Sequence, residues 1–164
     1  EYAIGNPSGG SGGSATLSIF DNDPARVWIE WYQDATEGSP VPGQFAVRHN
    51  ASGGALVVNY GPPSGTATGG GVDYTGPNAS GGSVTIPDGE TVAYLDVYAV
   101  ADTLSEGTET VVVGLASYTG SGPGYTVSGG AATADIADAN PAELCVTATG
   151  PAVEGEANGS VTFA

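Results

Sequence analysis

Apolar positions in this chain recur every second residue, and no stretch of ten or more residues carries the 3.6-residue stripe of an amphipathic helix. Val27-Trp28-Ile29-Glu30-Trp31-Tyr32 is β-branched and aromatic with a polar residue in its middle. Gln44 to His49 alternates, sending Phe45 and Val47 to one face and Gln44, Ala46 and Arg48 to the other. Leu56 to Tyr60, Ser83 to Ile86, Thr91 to Ala101 and Thr110 to Ser117 continue the series. Between them stand turn formers: Ser39-Pro40 with Pro42-Gly43, Ser52-Gly53-Gly54, Pro62-Pro63-Ser64-Gly65, Gly69-Gly70-Gly71 and Pro87-Asp88-Gly89. Short strands punctuated this way predict an all-β fold, an immunoglobulin-like antiparallel β-sandwich. Its expected core is Val27, Ile29, Phe45, Val47, Leu56, Val58, Leu95, Val97, Val111, Val113, Leu115 and Ile136. Alternation also turns Tyr94 and Tyr98 outward.

An internal repeat organises the chain. Ala15 to Ala25 (ATLSIFDNDPA) aligns without a gap on Ala132 to Ala142 (ATADIADANPA), an offset of 136 − 19 = 117 residues that also carries Glu37-Gly38 onto Glu154-Gly155. The expected domains are 1–23, the last strand of a preceding module; 24–140, one complete module; and 141–164, the first strands of a following one. The Pro7 to Ser14 stretch reads as a hairpin loop before that last strand, or alternatively as a flexible linker. With no Met at position 1, the chain reads as processed or as an excerpt.

Charge narrows the chemistry. Eighteen acids face two cations, Arg26 and Arg48, for a formal charge of −16. Nucleic acid and anionic membrane surfaces need clustered Lys or Arg and are excluded as partners; cations are favoured. No apolar run approaches the roughly 20 residues that span a bilayer, so membrane insertion is not expected. Enzyme chemistry finds little support. His49, the one histidine, is read as a surface imidazole at a strand end, with no Ser or Cys at motif spacing. Cys145 lies in a strand-like run, and Gly69-Gly70-Gly71 lacks the lysine and helix of a phosphate loop. Three sequons begin at Asn50, Asn78 and Asn158.

Several segments, in order and spacing, resemble the Calx-beta family. They are Glu37-Gly38, Phe45-Ala46-Val47, Gly65-Thr66-Ala67 with Asp73-Tyr74, Ile86-Pro87-Asp88-Gly89-Glu90, Asp102 to Glu109 with Val111, Val113 and Leu115, and the closing Ile136-Ala137-Asp138. The resemblance spans roughly Pro24 to Asn140. It implies an immunoglobulin-like sandwich, often in tandem, found in sodium–calcium exchangers, integrin β4-type proteins and large bacterial surface proteins, some members binding Ca2+ at one end. Carried over position by position, it implies calcium ligands at Glu37, Asp73, Asp102, Glu106 and Asp138, with Glu109 and the Leu104 carbonyl as additions. Two positions depart from the pattern: Ala101 precedes Asp102 where many relatives have paired acids, and Asp138-Ala139-Asn140 replaces an Asp-x-Asp close. The matched junction Asp21-Asn22-Asp23 keeps that close. Equally, Asp is at home in turns, and these acids also read as solvated turn residues.

Two functions follow. One is a structural repeat module of an extracellular adhesin or surface filament, assembling head-to-tail through strand pairing at its termini with neighbouring copies or modules, and rigidified by calcium at module junctions. Its outward aromatics would meet a neighbouring module, chain or glycan. The other is a regulatory calcium-sensing module of a membrane transporter or receptor.

Overall fold

The computed structural model describes residues 23–51, 53–120 and 124–140. Both flanking partial repeats, Cys145, the Pro7 to Ser14 stretch and the third sequon lie outside these residues. The described chain is all strand and turn. No helix among the described residues is long and apolar enough to cross a membrane.

Ten strands build two five-stranded sheets. In chain order they are β1 (Arg26–Gln33), β2 (Ala35–Thr36), β3 (Gly43–His49), β4 (Leu56–Tyr60), β5 (Tyr74–Thr75), β6 (Gly82–Ile86), β7 (Val92–Ala99), β8 (Glu109–Gly120), β9 (Thr126–Val127) and β10 (Ala131–Ala137). One sheet runs β5-β7-β3-β1-β9 and the other β2-β10-β8-β4-β6. All ladders are antiparallel except the short β1–β9 and β10–β2 pairs. Those exceptions arise where the chain leaves one sheet for the other. After β1 it crosses at Asp34, whose Oδ1 accepts the Trp31 Nε1–H and the Asp135 backbone N–H, both at 2.8 Å. That crossing lays β2 beside β10 and delivers Glu37 to the end of the sandwich.

Period-two apolar residues fill the space between the sheets. Ten of the twelve expected core residues are buried; Leu95 and Leu115 are half-buried and pack against them. Tyr60, Tyr74, Ile86 and Tyr125, with Ala35, Ala132 and Ala134, complete the core. Tyr94 and Tyr98 are exposed, as alternation requires. Ala46, opposite Tyr94 in the ladder, points outward with Gln44 and Arg48 yet is fully buried; Tyr94 is in ring contact with Tyr32, 5.0 Å between centroids. The same face holds an Arg48–Glu30 ion pair and Asp96, which accepts from Gln44 Nε2 at 2.7 Å and Tyr98 OH at 3.2 Å.

His49 corrects its sequence assignment. It is not a surface imidazole but 6% exposed, because it shares the inward parity of Phe45 and Val47. Its Nε2–H donates to the Glu90 carbonyl at 2.9 Å, and its ring meets Tyr125 edge-on at 5.6 Å.

Candidate metal centre

Four loops meet at the end of the sandwich opposite His49. Glu37 arrives from β2, Asp73 from the β4–β5 loop, Asp102 and Glu106 from the β7–β8 loop, and Asp138 from the end of β10. The β4–β5 loop is fastened along the start of β8. Ser64 and Val112 exchange backbone hydrogen bonds, the Ala67 N–H reaches the Thr110 carbonyl at 3.1 Å, and the Thr66 N–H reaches Thr110 Oγ1 at 3.1 Å. This docking needs Gly65, whose φ is +124° and whose missing Cβ would stand 2.1 Å from the Thr110 carbonyl oxygen. The loop then turns so that Asp73 Oδ2 accepts the Thr68 N–H at 2.5 Å, next to Glu109 at the head of β8.

Carboxylate oxygens of Asp73, Glu106 and Glu109 lie within 4.8 Å of one another. Of the five sequence candidates, this set holds Asp73 and Glu106. It adds Glu109, brought in because β8 begins there. Glu37, Asp102 and Asp138 are outside the set but within electrostatic reach. Glu37 feels Asp138, Asp102 and Glu106, while Glu106 feels Asp102, Asp73 and Asp138.

Glu37 is the buried member, 8% exposed. Its backbone N–H donates to the Ala137 carbonyl at 3.1 Å, and its carboxylate accepts from the Ala139 N–H. Its Oε2 is buried without a hydrogen-bond partner. Burial first, then the neighbouring Asp138 and Asp102, raises the Glu37 carboxyl above the ordinary glutamate range. Glu106 and Glu109 are raised too, first by desolvation and then by Asp102 and Asp73 respectively. Both cations of the chain are elsewhere, Arg26 at the head of β1 and Arg48 near the end of β3. A close set of three carboxylates, with Glu37 and its one buried oxygen in electrostatic reach, matches the donor chemistry of a hard divalent cation.

Hydrogen bonds already shape part of the rim. Asp138 accepts the Glu106 N–H on Oδ2 and the Asn140 N–H on Oδ1, each at 2.6 Å. Asp102 Oδ1 caps the Leu104 N–H at 2.7 Å. The Leu104 carbonyl, a candidate ligand by sequence, accepts instead from Asn140 Nδ2 at 3.0 Å, as does the Asp102 carbonyl. Two of the sequons are visible. Asn50 has its amide engaged by the Arg26 N–H and the Pro24 carbonyl, whereas Asn78 caps the Ser80 N–H in an exposed turn.

The fold and sequence agree with known proteins. The Calx-beta domain model matches residues 29–140. Among solved structures, the apo form of the Calx CBD1 domain superposes with a TM-score of 0.53 at 17% identity, covering 70% of this chain and 99% of that one. CBD12 from CALX1.2 (TM-score 0.54, 20% identity) and the calcium binding domain CBD12 of CALX1.1 (0.52, 17%) each match 69% of this chain. The chain spans 44% of the length of each of those two. A search of curated proteins finds no match. With the family model matching over two thirds of its length, this chain belongs to the Calx-beta domain family.

Proposed function

We propose that this module binds calcium at its acid-lined end and responds to the ion by tightening the loops there. The observation that carries the proposal is Glu37, a carboxylate with a buried, partnerless oxygen among acids that have no cationic side chain beside them. Glu37, Asp73, Asp102, Glu106 and Asp138 would hold the ion, with Glu109 from the close set. A bound ion supplies the positive charge that this end lacks. Ca2+ takes six to eight oxygens in flexible geometry, and loops from four places suit it better than the rigid octahedron of Mg2+. One structural neighbour, CBD12 of CALX1.1, is a calcium binding domain, which supports the same choice. Because Ala101 and Asn140 stand where further acids would add charge, a Kd on the order of 10⁻⁴–10⁻³ M is expected.

Calcium would draw the β7–β8 loop toward Asp138, which leads out of the module. That is the coupling a regulatory module needs, and it favours sensing over a purely structural role. A second proposal keeps the structural role on a separate observation, the 117-residue repeat. Consecutive modules joined at Asp138 would gain stiffness on calcium binding, and strand pairing between neighbouring copies at a cell surface would extend the array.

The test is a thermal melt of the chain in calcium and in chelator. At ten times Kd, occupancy adds about 1.4 kcal/mol to stability, a rise of several degrees. Asp102→Ala should abolish most of the rise. An unchanged wild-type melt would refute calcium binding.

A further inference from the structure

We infer that Asn140 is a built-in substitute for a cation at the rim of this centre, holding the β7–β8 loop to the end of β10 when calcium is absent. The inference rests on the calcium proposal for its second half only.

Two backbone carbonyls, those of Asp102 and Leu104, converge on one side-chain amide, each 3.0 Å from Asn140 Nδ2. Carbonyl oxygens that converge without a positive partner repel one another. Here the two N–H bonds of one primary amide satisfy both. The same residue's backbone N–H donates to Asp138 Oδ1, while Glu106, in the loop being held, donates its backbone N–H to Asp138 Oδ2. Asn140 is half-buried, and its backbone bond to Asp138 lies partly out of the solvent, while the two amide bonds are at the exposed rim. The segment from Asp102 to Glu106 is therefore tied to residues 138–140 by three hydrogen bonds, two of them from this one side chain.

The amide does this where the isosteric carboxylate cannot. A carboxylate at position 140 would have the same shape but no donor, and would set a negative charge against two carbonyl oxygens. It could be held there only by a cation shared among the three. The chain itself carries that alternative: at the 117-residue offset, Asp23 stands where Asn140 stands in the complete module. Asn140 thus trades cation demand for calcium-independent order. It is a positioning residue, leaving the remaining carboxylates to answer to the ion.

The experiment compares the full chain with Asn140→Asp and Asn140→Ala, each melted in chelator and in millimolar calcium. Cleavage by a Glu-specific protease at Glu106 and Glu109 reports on the loop. In chelator, both variants should melt below wild type by about 2–4 °C, as expected for losing two hydrogen bonds at an exposed rim in a domain of this size. Asn140→Asp should be lowest and cleaved fastest. In calcium, Asn140→Asp should recover and show a larger calcium-induced rise than wild type; Asn140→Ala should show no larger rise. If Asn140→Asp matches wild type in chelator melt and cleavage, the inference is overturned. If wild type ignores calcium while both variants still fall in chelator, calcium binding is refuted and the amide tie stands.

Discussion

At one end of the sandwich, Asp73, Glu106 and Glu109 bring carboxylate oxygens within 4.8 Å of one another, with Glu37, Asp102 and Asp138 in electrostatic reach, and the buried Glu37 Oε2 has no partner. At the other end, His49, Tyr125 and Tyr118 pack ring against ring, at 5.6 and 5.4 Å between centroids, and there too buried polar atoms, His49 Nδ1 and Tyr125 OH, are unpartnered. An unmet hydrogen bond alone therefore does not mark a site. What separates the ends is charge. A neutral imidazole and a phenol can be buried at the cost of a hydrogen bond, whereas a carboxylate buried among carboxylates calls for a positive charge from outside. Both arginines lie toward the His49 end or on the outer face, so the imbalance of the whole chain is concentrated where the loops of β2, β5, β8 and β10 meet.

The strongest way to break this contrast is Gly65→Ala. A methyl group 2.1 Å from the Thr110 carbonyl oxygen, at a φ that suits glycine alone, would pry the β4–β5 loop off β8 and carry Asp73 away from Glu109. Destabilisation of about 2–4 kcal/mol is expected. Urea unfolding would read the loss, and the calcium-induced rise in melting temperature should vanish with it. A stable variant that keeps its calcium response would show that Asp73 does not depend on this docking.

His49→Phe sharpens the contrast from the other side. The ring contact with Tyr125 is preserved while the bond to the Glu90 carbonyl is lost, for about 1 kcal/mol. The calcium response should be unchanged, because position 49 lies at the far end of β3 from Gly43 and the acid loops. A changed response would mean that the two ends are coupled through the sheet.

Alternation made most of the sandwich legible in advance, because one face of each strand must be apolar wherever two sheets pack. Phe45, Val47, Val58, Val97, Val111 and Val113 follow it without exception. The same rule held the signal for His49, two residues beyond Val47, but a titratable side chain at a strand end was assigned to the surface by its polarity. Ala46 shows the opposite limit: its outward parity is right, yet tyrosines from neighbouring strands of its own sheet meet above that face, and this depends on register that one strand cannot reveal. In the acid cluster, residue type and the resemblance supplied Glu37, Asp73, Asp102, Glu106 and Asp138, with Glu109 as an addition. The inclusion of Glu109 in the close set depends on where β8 starts. Asn140 was legible only as a missing acid; the two carbonyls waiting for its amide belong to a loop 36 and 38 residues away.

The subtlest difference between the ends is in their pH response. Glu37, Glu106 and Glu109 are all raised above the ordinary value of 4.5, by desolvation first and neighbouring acids second. Between 4.5 and their raised values, the folded state binds more protons than the unfolded chain, so these groups make the calcium-free protein less stable as pH rises through that window. Below it, the folded and unfolded states are protonated alike and the penalty is gone. Under the calcium proposal the ion would reverse the trend, since it competes with those protons and would bind better as they leave. Melting temperature in chelator should therefore decline as pH rises above 4.5 through the raised carboxyl range, while the calcium-induced rise grows over the same interval. Glu37→Gln should flatten the chelator curve, and His49→Phe should leave the growth of the calcium term intact. Parallel curves with and without calcium would mean that the carboxylates titrate without reference to the ion, leaving the acid end no more responsive than the aromatic one.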